Sequence, residues 1–383
     1  MHEAFIVDIV RTPIGKRNGS LSGTHPVDLA AHVLRGLVER TGVDPSAIED
    51  VQLGCVTQIG EQGWNIGRMA ALAAGLPVDV CGASVNRMCG SSLQTTNSAA
   101  QAIMSGQADL VIAAGVESMS RTPMMSDGGQ VPDSITENYN VVMQGLSAEM
   151  IAQQWEITRE QQDEYALSSQ ERAIAAREAG KFEGEILPIE VTDAEGVKHM
   201  FAADETPRAS TAEKLASLKP AFLPEGTGTV TAGNASQICD GASGLLLASA
   251  AAVELHGLKP RARVVSTGLA GVDPTIMLTG NPAATTRALT RVGLTLDDMS
   301  VIEINEAFAS VVLQSMIDLK LADRAADVNP NGGGISLGHP LGASGARILA
   351  TMLGELERRD AQHGMATMCI GFGQAIATVI ERV

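Results

Sequence analysis

Two stretches far apart in the chain run through the same order of parts, and this repetition limits the available folds more than any other feature. The first, VNRMCGSSLQTTNSAAQAIMSG from Val85, sets Cys89 ahead of an alanine-rich helical pattern, a glycine turn at Gly106 and the strand-like run DLVIAAGVE. The second, GGGISLGHPLGASGARILATMLGELERR, sets His339 ahead of a helical pattern, a turn at Gly364 and the strand-like run MATMCIGFG. A chain with two related halves puts these loops at corresponding places, where they can face each other. Elsewhere, short β-rich runs alternate with Ala-rich helical ones, as in AFIVDIV followed by HPVDLAAHVLRGLVER. That alternation predicts an α/β body with helices on the faces of a buried sheet. From Ser120 to about Gly233 the texture changes. The polar, turn-rich RTPMMSDGGQVPDSITENYN gives way to charged helices, one carrying Tyr165, Ser168, Ser169 and Arg172 at helical spacing. Regular α/β texture returns at ARVVSTGLAG from Ala262, so the middle segment reads as an excursion from the body.

Charge and cysteine content narrow the class. A formal net charge of −17 argues against nucleic acid or an anionic membrane as the main partner. It leaves room for an anionic small ligand held by a few local Arg and Lys. Five cysteines, sparse and odd in number, indicate a reducing compartment without a disulfide framework. The opening MHEAFIVDIVRTPIGKR has no signal-peptide pattern, and the apolar run LLLASAAAV is far short of the roughly 20 residues of a membrane span. The expectation is a soluble cytoplasmic protein with no membrane span.

Four residues stand out as reactive or orienting. Cys89 sits at the foot of a helix, where free N–H groups and the helix dipole favour thiolate. Asn305, in NEAFA, follows the strand-like SVIEI; taken alone it reads as an N-cap. His339 lies in NPNGGGISLGHPLGASGAR, where six glycines and two prolines surround it. This segment lacks the Gly-Lys-Ser/Thr ending of a phosphate-binding loop and does not open a dinucleotide-binding unit. Cys369, in CIGFGQA, ends a strand before a Gly-x-Gly turn; alone it reads as a buried strand cysteine. Together they describe acyl-transfer machinery. A Cys–His pair generates a nucleophilic thiolate, and a second thiol is surplus for hydrolysis but useful where carbon must gain or lose a proton.

NRMCGSS, GNASQICDGA, NEAFA, GGGISLGHPLGASGAR and CIGFGQ, in this order, resemble the successive signatures of the thiolase family, over essentially the whole chain. The resemblance implies an α/β fold of two pseudo-symmetric βαβαβαββ halves in a layered α-β-α-β-α core, with a loop domain inserted in the first half. The implied boundaries are 1–119 plus 238–260 for the first half, 120–237 for a CoA-binding insertion and 261–383 for the second half. By resemblance, Cys89 is the acylated nucleophile, His339 its activator and Cys369 the acid/base for carbon. Asn305 would hold a water that forms one oxyanion hole with His339; the N–H groups of Cys89 and Gly371 would form the other. Ser236 and Phe308 match positions beside the pantetheine arm, Arg208 a basic position near the nucleotide, and Met277 a pocket methionine.

The resemblance implies reversible, CoA-dependent cleavage of 3-ketoacyl-CoA to acetyl-CoA and a shortened acyl-CoA. Coenzyme A is then a co-substrate; no permanent cofactor and no metal are expected. A homodimer is the expected assembly, with a homotetramer the alternative. Met88 and Gln144 depart from commoner family residues, and Phe372 and Ala375 replace smaller or glycine ones. The wording of NRMCGSS and CIGFGQ leans towards degradative 3-ketoacyl-CoA enzymes, while Met277 leans short-chain, and a strict biosynthetic acetoacetyl-CoA enzyme is the alternative. Two other classes compete: a cysteine hydrolase, with no work for Cys369, and a non-catalytic CoA-thioester binding protein, which needs none of the four residues. Related condensing enzymes would carry a second histidine at Asn305, or a catalytic glutamate.

Overall fold

The computed structural model describes residues 2–193 and 195–383. Twelve strands occur among them: β1 (Ala4–Arg11), β2 (Gly15–Lys16), β3 (Asp50–Gly54), β4 (Cys81–Val85), β5 (Leu110–Ser118), β6 (Ile189–Thr192), β7 (Lys198–Phe201), β8 (Cys239–Ser249), β9 (Ala262–Gly271), β10 (Val301–Ile304), β11 (His363–Ile370) and β12 (Gln374–Arg382). The helices are α1 (Pro26–Thr41), α2 (Ile66–Ala73), α3 (Ser91–Met104), α4 (Asp133–Thr136), α5 (Gln144–Gln154), α6 (Arg159–Glu178), α7 (Ala212–Ala216), α8 (Ala250–Leu255), α9 (Asn281–Thr290), α10 (Ala309–Asp318) and α11 (Ser344–Arg358).

The repeated order read from the sequence is a structural duplication. In the first half, β1 pairs antiparallel with β8, β8 antiparallel with β5, and β5 parallel with β3, which runs parallel to β4. In the second half, β9 pairs antiparallel with β12, β12 antiparallel with β11, and β11 parallel with β10. The counterpart of β4 shrinks to a single parallel bridge between Ile302 and Val328. The helices follow suit: α1, α2 and α3 occupy the places taken later by α9, α10 and α11. The halves join through β1 and β9, which share only the pairs Phe5–Arg263 and Ile6–Ala262. So short a seam cannot hold two halves together; packing does that.

The packing is in layers. Helices α3 and α11 touch each other and reach strands of both halves, so they form the middle layer. Leu93, Ala99, Ala100 and Ile103 of α3 and Ile348, Leu349, Met352 and Leu353 of α11 are buried in one core with Ile6, Ile9, Met368 and Ile376. Each Leu, Ile or Met side chain among these contributes about 1.5–3 kcal/mol when fully buried. Helix α1 packs outside β5 and β8, and α9 outside β9 and β12. With 3% aromatic residues, close fit depends on small side chains. A Cβ on Gly345 would collide with the backbone nitrogen of Leu93, so glycine lets α3 and α11 meet backbone to backbone.

Between β5 and β8 the chain makes its excursion. It holds α4 to α7 and the β6–β7 hairpin, and residues 123–140 are almost all exposed. The hairpin is not detached: Ile189, Val191 and Phe201 are buried in the first half's outer core.

Candidate active site

The first turns of α3 and α11 are tied together, and this sets the two glycine-flanked loops side by side. Ala346 N–H donates to Ser92 Oγ at 3.0 Å. Cys89 precedes α3 in a tight turn. Met88 N–H donates to Asn86 Oδ1 at 2.8 Å, Ser91 Oγ donates to Met88 O at 2.6 Å, and Arg87 N–H donates to Ser91 Oγ at 3.0 Å. Met88 adopts φ 45°, the left-handed region that costs a non-glycine residue about 1 kcal/mol or more. Three side-chain hydrogen bonds hold this strained elbow and push Cys89 inward, where it is buried.

Gly371 lies beside the elbow: a Cβ on it would stand 3.9 Å from Met88 Cγ. Cys89 is close enough to Cys369 to oppose the ionisation of that thiol. Burial pushes the Cys89 thiol up to about 11, a rise that the backbone N–H groups of Cys89 and Gly371 counter and the carboxylate of Glu117 reinforces. Burial, followed by the neighbouring Cys89, pushes the Cys369 thiol up as well.

His339 is buried and hydrogen-bonded at both ring nitrogens. Nδ1 lies 2.5 Å from Ser344 Oγ, and Nε2 lies 3.3 Å from Asn305 Nδ2. Burial and then the charge of Arg347 lower its pKa to about 3, so the imidazole is neutral at pH 7. Asn305 does not cap a helix. α10 begins four residues later at Ala309, with Phe308 in the N-cap position, which frees the Asn305 carboxamide for the histidine. The Oδ1 of Asn305 is buried with no partner among the described residues, leaving an acceptor aimed into the site.

Buried carboxylates position these loops, and the sequence reading missed them. Glu306 accepts from Tyr165 OH (2.8 Å), Ser169 Oγ (2.7 Å), Ile335 N–H (3.0 Å) and Asn329 Nδ2 (3.2 Å). It clamps the NEAFA loop, the glycine-rich loop and α6 together. Glu117 accepts from Val56 N–H, Thr57 N–H, Gln62 Nε2 and Gly342 N–H at 2.9–3.1 Å, so it joins β5 to the loop after His339. The polar spacing of Tyr165, Ser169 and Arg172 was the available signal. Two of these bind Glu306, and Arg172 donates to Val328 O at 2.7 Å.

The remaining sequence candidates fall into two groups. Met277 and Phe308 are buried in one cluster with Cys369. Phe308 packs edge-on against Phe222, ring centroids 6.1 Å apart, and Phe372 N–H points at Met277 Sδ, 3.4 Å away. Ser236 is half-buried, its N–H donating to Ala307 O at 2.9 Å. Arg208 is exposed, and its guanidinium reaches only Gln237 Oε1, at 3.4 Å. Gln237 in turn anchors the histidine loop: His339 N–H donates to Gln237 O at 3.3 Å. Phe372 is half exposed at φ 61°, between Gly371 and Gly373, and stands at the site's edge. No helix among the described residues is long and apolar enough to cross a membrane.

Cys89 with Cys369, and His339 with Asn305, thus form two pairs on loops that the tied first turns of α3 and α11 set side by side. Comparison with known proteins gives the family. Family models described as thiolase N-terminal domain and thiolase C-terminal domain match residues 4–251 and 258–382. The steroid 3-ketoacyl-CoA thiolase of Mycobacterium tuberculosis is 48% identical over 396 residues, covering 100% of this chain and 95% of that protein. The 3-ketoacyl-CoA thiolase of Klebsiella pneumoniae is 47% identical over 389 residues, covering 100% of both. The crystal structure of the Bacillus anthracis acetyl-CoA acetyltransferase superposes with TM-score 0.92 at 42% identity, covering 100% of this chain and 99% of that one. The chain therefore belongs to the thiolase family and is a CoA-dependent acyltransferase.

Proposed function

We propose that Cys89 carries the acyl group in a ping-pong thiolysis of 3-ketoacyl-CoA. The observation that supports this best is the burial of Cys89 in an elbow whose neighbours Met88 and Gly90 pack against Gly371 and Ile370, the residues that follow Cys369. His339 Nε2 takes the thiol proton as Cys89 attacks the 3-keto carbon. The C2–C3 bond breaks, and the departing acetyl-CoA enolate takes a proton from Cys369. Free CoA then gives its thiol proton to the Cys369 thiolate and attacks the acyl carbon. Cys89 leaves and recovers its proton from His339. Charge develops on two oxygens in turn. The N–H pair of Cys89 and Gly371 serves the adduct on Cys89; His339, with a water held at Asn305, serves the enolate thioester. Losing one such donor typically costs about 100- to 1000-fold.

CoA enters along the inserted segment 120–237, with Arg208 near the nucleotide and Ser236 and Phe308 beside the pantetheine arm; the flanking halves are 1–119 plus 238–260 and 261–383. The working assembly is a homodimer. Its support is the free edge of β4, together with Trp64 and Val78, which are 90% and 74% exposed nearby. Five free cysteines suit a reducing cytoplasm.

The test is intact-protein mass spectrometry after mixing with acetyl-CoA. One acetyl adduct is expected on the wild type and none on Cys89→Ala; an adduct persisting in Cys89→Ala overturns the assignment. In heavy water, Cys369→Ala should nearly abolish deuterium uptake at the acetyl methyl while Cys89 still acylates. Equal loss of both half-reactions would mean a collapsed site instead.

A further inference from the structure

Gln144 opens α5 and projects into the acyl end of the site. A methyl group built on Gly371 would stand 3.1 Å from Gln144 Nε2 and 3.9 Å from Met88 Cγ. Met88 is the residue before Cys89, so Gly371 borders the nucleophile's elbow. An acyl group on the Cys89 sulfur is therefore bordered by Gly371, Met88 and the Gln144 carboxamide, with Met277 behind Phe372. Every other side chain in this set is apolar. Gln144 is half-buried, and its carboxamide makes no side-chain hydrogen bond among the described residues. A plain alkyl chain laid against it would displace water from a donor and an acceptor and return nothing.

We propose that Gln144 is a specificity-determining residue. Its carboxamide recognises an oxygen on the acyl chain, so the favoured 3-ketoacyl-CoA carries a hydroxyl, carbonyl or carboxylate group beyond the reacting 3-keto carbon. This rests on the thiolysis reading of the same site. It adds a chemical class that length alone does not define: Met277 limits how much room the chain has, and Gln144 sets its polarity. A site built to hydrogen-bond a substrate discriminates strongly against the analogue lacking that group, whereas an apolar wall cannot.

The test compares kcat/KM for two 3-ketoacyl-CoA substrates of equal chain length, 3-oxohexanoyl-CoA and its 6-hydroxy analogue, with the 3-oxoadipyl thioester as a third arm. In the wild type at least one oxygenated substrate should be preferred over the alkyl one by about fivefold or more. Gln144→Met should collapse or invert that ratio, and Gln144→Leu should do the same if the first variant folds poorly. A smaller wild-type preference overturns the inference, as does a preference that both variants leave unchanged. Failure of the underlying reading looks different: no substrate turns over and no adduct forms on Cys89.

Discussion

Ser344 Oγ lies 2.5 Å from His339 Nδ1 and 2.9 Å from the carbonyl of Pro340. A hydroxyl has one hydrogen, and a carbonyl can only accept. Ser344 therefore donates to Pro340 O and accepts from Nδ1–H, which leaves Nε2 with its lone pair facing Asn305 and the site. The serine selects the tautomer that can take a proton. Ser344→Ala should lower kcat by about 10- to 100-fold, the effect of a general base held less often in its working form, with a much smaller change in KM. Steady-state kinetics on acetoacetyl-CoA check this, and Ser344→Thr should recover part of the loss.

The charge state of the resting site follows from burial. With Cys89 near 11 and His339 near 3, both are neutral at pH 7, and no thiolate–imidazolium pair exists before substrate arrives. Alkylation of Cys89 by iodoacetamide should therefore climb steadily from pH 7 to 10; a plateau already reached near neutrality would contradict it. Stability follows the same shifts. The His339 pKa is depressed from 6.5, so its contribution is intact above pH 6.5 and lost as pH falls towards 3. The Cys89 pKa is raised from 9.0, so its contribution is intact below pH 9 and lost as pH rises through about 11. Denaturant titrations of His339→Asn and Cys89→Ser should lack the acid and the alkaline slope, respectively.

Glu306 is a structural clamp. Glu306→Ala leaves the Ile335 N–H and the Tyr165, Ser169 and Asn329 side chains without their acceptor in a buried place. The cost should be about 3 kcal/mol or more, seen as a lowered Tm. Tyr165→Phe removes one donor and should cost about 1 kcal/mol. Activity in Glu306→Ala should fall along with stability, because Asn305 is the adjacent residue.

Met277 is buried against Phe308 and Cys369. Each further buried methylene contributes about 0.8 kcal/mol where there is room, roughly fourfold in kcat/KM, and overpacking reverses the gain. The wild type should hold or gain activity over the first few carbons beyond acetoacetyl-CoA, and Met277→Ala should move the optimum to longer chains. A steep fall at the five-carbon substrate, unrelieved by Met277→Ala, would identify a strict acetoacetyl-CoA enzyme.

The duplication was legible because both reactive loops precede helices of similar texture, and glycine and alanine patterns survive divergence. The third strand of the second half was not legible, since one bridge at Val328 leaves no alternating pattern. Asn305 shows the limit of local reasoning. Its sequence neighbourhood suits a cap, but the helix starts later and a histidine 34 residues away claims the side chain. Glu306 and Glu117 were invisible for the same reason. A buried glutamate looks like a surface one until its donors arrive from distant loops, and for Glu117 three of the four are backbone N–H groups with no sequence signature. The stripe on α6 was seen, but its target was not.

The contact of Leu93 with Gly345 and the bond from Ala346 to Ser92 give the molecule an unusual dependence. Cys89 lies in one half and His339, Asn305 and Cys369 in the other, and the proposed constellation requires the crossing of the two middle helices. Reactivity is thus a property of the join and not of either partner. A chain severed between α8 and β9 would yield two fragments with complementary but idle equipment, and activity would report their reassociation. Evolution could vary the outer helices of such a molecule freely, while the crossing tolerates almost nothing larger than hydrogen at Gly345.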